Sequence, residues 1–180
     1  MAYDNRPQLI ELSRAGFACR AEQFDRAKSV LGVGYILARG PAAAATPLTG
    51  TITETSLGSI VLPGGLLGPS GLLRITAAYS ATGAANKTIR INFGGIDLAA
   101  GYTISTAGAF SALKVRTLQN TGESRQVYWN SWGETGANAA AIGVAAVDST
   151  ADQVIDFRGL LASAADSLTL EAWTVEVFPS

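Results

Sequence analysis

The stretch Leu72-Leu73-Arg74-Ile75-Thr76-Ala77-Ala78-Tyr79-Ser80, followed after Thr82-Gly83-Ala84-Ala85-Asn86 by Lys87-Thr88-Ile89-Arg90-Ile91-Asn92-Phe93, decides the fold class. Apolar side chains recur at every second residue: Leu73, Ile75, Ala77 and Tyr79 in the first segment, Ile89, Ile91 and Phe93 in the second. Arg74, Thr76, Arg90 and Asn92 hold the opposite parity. Successive side chains of a strand point to opposite faces, so this is the pattern of two half-buried β-strands. The residues between them supply Gly and Asn for a turn, and Gly94-Gly95 ends the second strand. Ile75, Tyr79, Ile89, Ile91 and Phe93 are therefore expected in the core.

Working outward, the same signals mark Gly58–Leu62, Ala109–Leu118, Arg125–Asn130, Ile142–Val147, Gln153–Phe157 and Leu168–Phe178 as strands. The last contains a parity change. Leu168 and Leu170 share one face, whereas Trp173, Val175 and Val177 share the other. Keeping both sets inside requires an extra residue, so a bulge is expected near Glu171-Ala172, with Val175 and Val177 buried. Eight or so short strands imply a mainly β protein, a β-sandwich for which the jelly roll is the commonest eight-stranded form.

The N-terminal part reads differently. Six of the thirteen basic residues (Arg6, Arg14, Arg20, Arg26, Lys28 and Arg39) fall in the first 39 positions. Partial helical spacing around Phe17, Ala21 and Phe24 predicts a short helix near Ala21–Val30, stopped by Gly32 and Gly34, with a short strand over Val33 to Leu37. Gly40 to Thr49, GPAAAATPLT, places two prolines around an alanine run and reads as an extended connector. The expected organisation is an arm and connector over residues 1–49 and a jelly-roll body over 50–180.

Composition narrows the chemistry. Hydrophobic residues make up 48 % and charged residues 15 %, so part of the surface is expected to meet another chain. The net charge of −1 and the absence of a dense basic stripe argue against nucleic acid, and no apolar run is long enough to cross a bilayer. The N-terminus lacks the pattern of a secretory signal, so synthesis in a cytosol is expected. There is no histidine and one cysteine, Cys19, which removes Ser-His-Asp and Cys-His catalysis, thiolate zinc sites and an internal disulfide. Cys19 reads as a small packed residue.

Glycosidases need two carboxylates at a set separation, and the pairs available are Asp148/Asp152, Asp156/Asp166 and Glu171/Glu176. None sits in a signature, and turn or outer-face roles are the expectation. Gly32-Val33-Gly34 lacks the third glycine of a dinucleotide loop, and Gly64 to Gly71 reads as consecutive turns. Asp-rich turns suit calcium, but no spaced ligand loop is present. No catalytic residue, cofactor or metal ligand is nominated. The candidate ligand or partner contact is the aromatic group Tyr128, Trp129 and Trp132, beside Asn130, Ser131 and Glu134, with a core position for Trp129 as the competing account.

Gly58 to Ile75, GSIVLPGGLLGPSGLLRI, and Tyr79 to Gly95, YSATGAANKTIRINFGG, together with Ala146 to Gln153 and Leu168 to Glu176, resemble a module of tailed-bacteriophage structural proteins. The resemblance covers roughly residues 50–178 and rests on strand and turn patterns. It implies a jelly-roll sandwich, often a homotrimer, at the exposed end of a fibre or decoration. The expectation is a non-enzymatic virion protein: a capsid decoration or head fibre attached through residues 1–49 to capsid or tail proteins. The alternative is a tail-fibre tip that recognises a host-surface glycan, and a carbohydrate-active enzyme is the remote one.

Overall fold

The computed structural model describes residues 34–41, 45–98, 102–104, 109–130 and 142–180. The described residues form eleven strands: β1 (Tyr35–Gly40), β2 (Thr55–Leu62), β3 (Leu72–Thr82), β4 (Lys87–Phe93), β5 (Ile96–Asp97), β6 (Tyr102–Ile104), β7 (Phe110–Asn120), β8 (Gln126–Asn130), β9 (Ile142–Ala145), β10 (Gln153–Leu161) and β11 (Ser167–Phe178). They build two antiparallel sheets. One has the order β1-β11-β3-β7-β8-β9, the other β2-β10-β4-β5, with β6 also on β4. The helix expected near Ala21–Val30 lies outside the described residues, as does most of the expected arm.

The alternation read from β3 and β4 is the alternation of burial. Ile75, Tyr79, Ile89, Ile91, Phe93, Val175 and Val177 are all buried, and Arg74 is exposed. Those side chains join Leu73, Leu118, Ile155, Phe157, Leu168 and Leu170 in one core shared by the two sheets. Across it the Phe157 and Trp173 rings meet at 5.3 Å between centroids. β11 bulges where its parity changes: Leu170 faces Tyr79, but Ala172 faces Ala78. The extra residue returns Trp173, Val175 and Val177 to the inner face.

Three features differ from the sequence reading. β5 and β6 are too short to show an alternating pattern, and neither was expected. β1 extends to Gly40 rather than ending at Leu37. The chain before residue 50 also takes part in the sandwich: Tyr35 pairs with Val177, Ala38 with Val175 and Gly40 with Trp173. Leu48 and Leu168 exchange backbone hydrogen bonds at 2.8 and 3.1 Å. Without β1, β11 would be an open edge. Gly40 permits the pairing, because a Cβ there would stand 2.6 Å from the Trp173 ring. The division at 49/50 thus cuts across the sheets rather than between two structural units.

Candidate functional site

Two outward faces carry the chemistry. On the six-stranded sheet, cross-strand pairing lines up Ile36, Glu176, Arg74, Thr117, Trp129 and Ile142 in one row across all six strands. The next row runs Phe178, Leu72, Gln119, Val127 and Val144. Arg74 ties the rows together: its Nη1 is 3.7 Å from Glu176 Oε2, and its guanidinium stands 5.4 Å from the Phe178 ring centroid. Ile36, Leu113, Ile142 and Val144 are more than half exposed. This outer face sets exposed aliphatic side chains among Thr76, Thr117, Gln119 and Thr174, with the Arg74–Glu176 ion pair in its middle.

The aromatic group read from the sequence is split by that sheet. Tyr128 pairs with Leu118, shares its inward face and packs against the core, its ring lying over Gly143. A Cβ on Gly143 would come within 2.2 Å of that ring. Trp129, the next residue, is half-buried on the outer face between Thr117 and Ile142. Tyr128 and Trp129 therefore do not share a surface. Trp132 lies outside the described residues.

The outer face of the other sheet is polar and was not anticipated. Its central row runs Ser59, Asp156, Asn92 and Asp97, and the adjacent row runs Ser56, Arg158 and Arg90. Arg90 and Arg158 face each other directly, an arrangement that repels unless counter-charges intervene. Glu54 bridges them, with Oε2 3.1 Å from Arg90 Nε and Oε1 3.0 Å from Arg158 Nε. Asp97 accepts a hydrogen bond from Arg90 Nη1, which pushes that guanidinium above its ordinary pKa. Asp156 lies 3.7 Å from Arg158 Nε and accepts from Ser56. Two cations and three anions form one network.

Within this network Asn92 is only 8 % exposed, and its Oδ1 is buried without a hydrogen-bond partner. Asp97 Oδ1 is in the same state, while Arg90 Nε and Arg158 Nε lack an aligned acceptor despite their ion-pair distances. Sequence reasoning missed the face because its members come from separate segments; the alternation placed Arg90 and Asn92 on the outer side but not beside Asp97, Asp156 and Arg158.

The carboxylates weighed as catalytic pairs each have a local partner. Asp148 accepts from Thr150 N at 2.9 Å and Oγ1 at 2.6 Å, and these bonds hold its carboxyl below the ordinary range. Asp152 accepts from Gly64 N at 2.9 Å, Asp156 from Ser56, and Asp166 from Ala85 N at 2.9 Å. Glu171 accepts from Ser80, and Glu176 pairs with Arg74. The bulge puts both glutamates on the outer face. Burial raises the pKa of Tyr79 strongly, with Arg116 opposing and Asp156 adding, so this phenol stays neutral in the core. Among the described residues no group of three or more His, Cys, Asp or Glu is placed to hold a metal ion.

No protein-family model matches this chain, and no curated protein does. Among solved structures it is similar to one described as the CBM2 module of Lactobacillus casei BL23 phage J-1 evolved Dit, at 10 % identity and a TM-score of 0.35. The match covers 68 % of this chain and 69 % of that one. A likeness this distant carries neither fold detail nor function across.

Proposed function

We propose that this chain is a non-enzymatic structural module of a tailed-bacteriophage virion, a jelly-roll head that self-assembles as a trimer and attaches through its N-terminal segment to capsid or tail proteins. The observation that carries the assembly reading is the set of exposed apolar side chains on the outer face of the six-stranded sheet: Ile36, Ile142 and Val144, with Trp129 half-buried beside Ile142 and Leu113 further along β7. Exposed apolar side chains gathered on one sheet face favour a partner that covers them. The virion assignment rests on the sequence resemblance of residues 50–178.

Strand order supports the jelly-roll reading. The first strand pairs with the last and the second with the next to last, giving the ladders β1-β11-β3-β7 and β2-β10-β4-β5. The β8–β9 hairpin extends the first ladder. Opposed ladders of this kind, built from nested antiparallel pairs, are the plan of a jelly roll. The local partners of the six weighed carboxylates support a structural rather than catalytic use of each.

Light scattering on the full chain tests the assembly, with three chains per particle expected and separation into single chains on Leu113→Glu together with Ile142→Glu. A wild-type monomer at micromolar concentration would overturn it. Co-sedimentation of a peptide of residues 1–33 with capsid and with tail fractions tests the attachment. A second reading, a receptor-binding module for a host-surface glycan, is favoured by the polar outer face of the five-stranded sheet.

A further inference from the structure

We propose that the outer face of the five-stranded sheet holds a binding site for a neutral carbohydrate, centred on Asn92 and Asp97 and flanked by Arg90 and Arg158. The inference gives the receptor-binding reading its site and rests on that reading for its biological use, not on the trimer. Its starting point is an unbalanced hydrogen-bond account. Buried polar atoms are almost always paired, and an unpaired one costs about 1–3 kcal/mol. Here two acceptors on directly opposed residues, Asn92 Oδ1 and Asp97 Oδ1, are buried and unpaired. Asp97 pairs with Arg90, and Arg90 and Arg158, opposed in the adjacent row, have Nε atoms that lack aligned acceptors. Unpaired acceptors in one row of the sheet thus stand beside guanidinium donors in the next row, which reach Glu54 at ion-pair distance without an aligned hydrogen bond.

A hydroxyl suits both kinds of group, because it donates one hydrogen and accepts on two lone pairs. Vicinal hydroxyls of a sugar reach a carboxylate or amide oxygen with one group and a guanidinium with the next. An anionic ligand fits less well: Glu54, Asp97 and Asp156 outnumber Arg90 and Arg158, and the orphaned atoms at the centre are acceptors. A metal cation is disfavoured by the two arginines. The exposed Val61 and Val154, cross-strand neighbours on the same face, offer an apolar strip to the C–H face of a sugar ring. The oxygens of Asn92 and Asp97 are covered, so entry takes a rotamer change. Arg90 and Arg158, each about a third exposed, have the freedom for it.

The test uses the full-length protein and a panel of glucose, galactose, mannose, N-acetylglucosamine and N-acetylgalactosamine, with sialic acid as the anionic comparison. The side-chain amide resonances of Asn92, assigned by their loss in Asn92→Ala, report binding. At least one neutral sugar is expected to shift them saturably. Asn92→Ala is expected to weaken that sugar by roughly tenfold or more, read by saturation-transfer competition. Its melting temperature should stay the same or rise, since a buried orphan is removed. No shift with any neutral sugar up to about 50 mM, a range that captures even weak millimolar sites, would overturn the site. So would a response to sialic acid alone, or unchanged affinity in Asn92→Ala. Host-cell binding that persists in Asn92→Ala would leave the receptor reading standing while removing this site from it.

Discussion

Lys87 Nζ lies 3.0 Å from Asp166 Oδ2, with the lysine side chain 1 % exposed and the aspartate 7 %. The pair closes one end of the sandwich. Lys87 also donates to Gly83 O at 2.7 Å, and Asp166 accepts from Ala85 N, so one ion pair fastens the β3–β4 turn to the β10–β11 turn. Gly83 has a φ of +99°, and a Cβ there would stand 2.0 Å from Asp166 Oδ1. The turn glycine read from the sequence is needed both for its backbone and for the room it leaves.

The pair makes the fold acid-sensitive. The hydrogen bond from Lys87, opposed by burial and helped by Ala85 N–H, holds the Asp166 carboxyl below its ordinary range. A depressed folded value contributes stability that is fully present above the unfolded aspartate value of about 3.9 and is lost as pH falls through the lower folded value. Melting temperature is expected to be flat from neutral pH to about 5 and to fall below about 4. Asp166→Asn should lower the plateau and flatten most of the acid limb. A residual slope remains from Asp148, whose carboxyl is also lowered by its bonds from Thr150. An unchanged acid limb in Asp166→Asn would remove this pair as its cause.

At the opposite end of the sandwich the buried ties are made by neutral side chains, Gln126 and Asn120. Gln126, fully buried, donates to Val147 O at 2.8 Å and accepts from Val147 N at 3.0 Å. Asn120 donates to Gly68 O at 2.7 Å and Ser149 Oγ at 2.9 Å. Gln126→Leu strands both backbone groups of Val147 and is expected to cost about 2–3 kcal/mol in denaturant unfolding, independent of pH between 4 and 9. A pH-dependent loss would mean that a titrating group takes part.

How much of this was legible depended on distance along the chain. The inner residues of β3, β4 and β11 were readable because parity is local, and so was the bulge at Glu171, where two runs of opposite parity meet. β1 was misplaced into an arm because its partner lies at the far end of the chain, and six residues carry no sign of a pairing with Val175 and Val177. Tyr128 and Trp129 were grouped as neighbours although a strand sends them to opposite faces. The polar ladder was invisible for the opposite reason: Glu54, Asn92, Asp97, Asp156 and Arg158 are neighbours only once β2, β10, β4 and β5 are aligned.

Truncation from the N-terminus tests where the folded body begins. Removing residues 1–33 leaves β1 intact and is expected to leave a cooperative melt near that of the full chain. Removing 1–45 strips β1 from β11, uncovers Trp173 and takes Tyr35 and Leu37 off the core. Loss of those contacts is expected to cost about 3 kcal/mol or more and to expose an edge that promotes aggregation. Equal melting of the two truncations would show that β1 contributes nothing to the body.

Tyr128 and Trp129, adjacent in sequence, are expected to fail in different assays. Tyr128 packs inward over Gly143 and against the core beside Leu118, so Tyr128→Ala should cost about 2–4 kcal/mol and lower the melting temperature whatever the protein concentration. Trp129 faces outward between Thr117 and Ile142. Outer-face substitutions seldom change the stability of a single chain by more than about 0.5 kcal/mol. A tryptophan at a subunit contact, by contrast, contributes about 2 kcal/mol or more, a roughly thirtyfold change in the association constant. Trp129→Ala should therefore leave the concentration-independent part of the melt in place while shifting assembly, read by light scattering across a dilution series. If Trp129→Ala lowers the melt as Tyr128→Ala does and leaves assembly untouched, Trp129 belongs to the packing of β7, β8 and β9, and the subunit contact lies elsewhere.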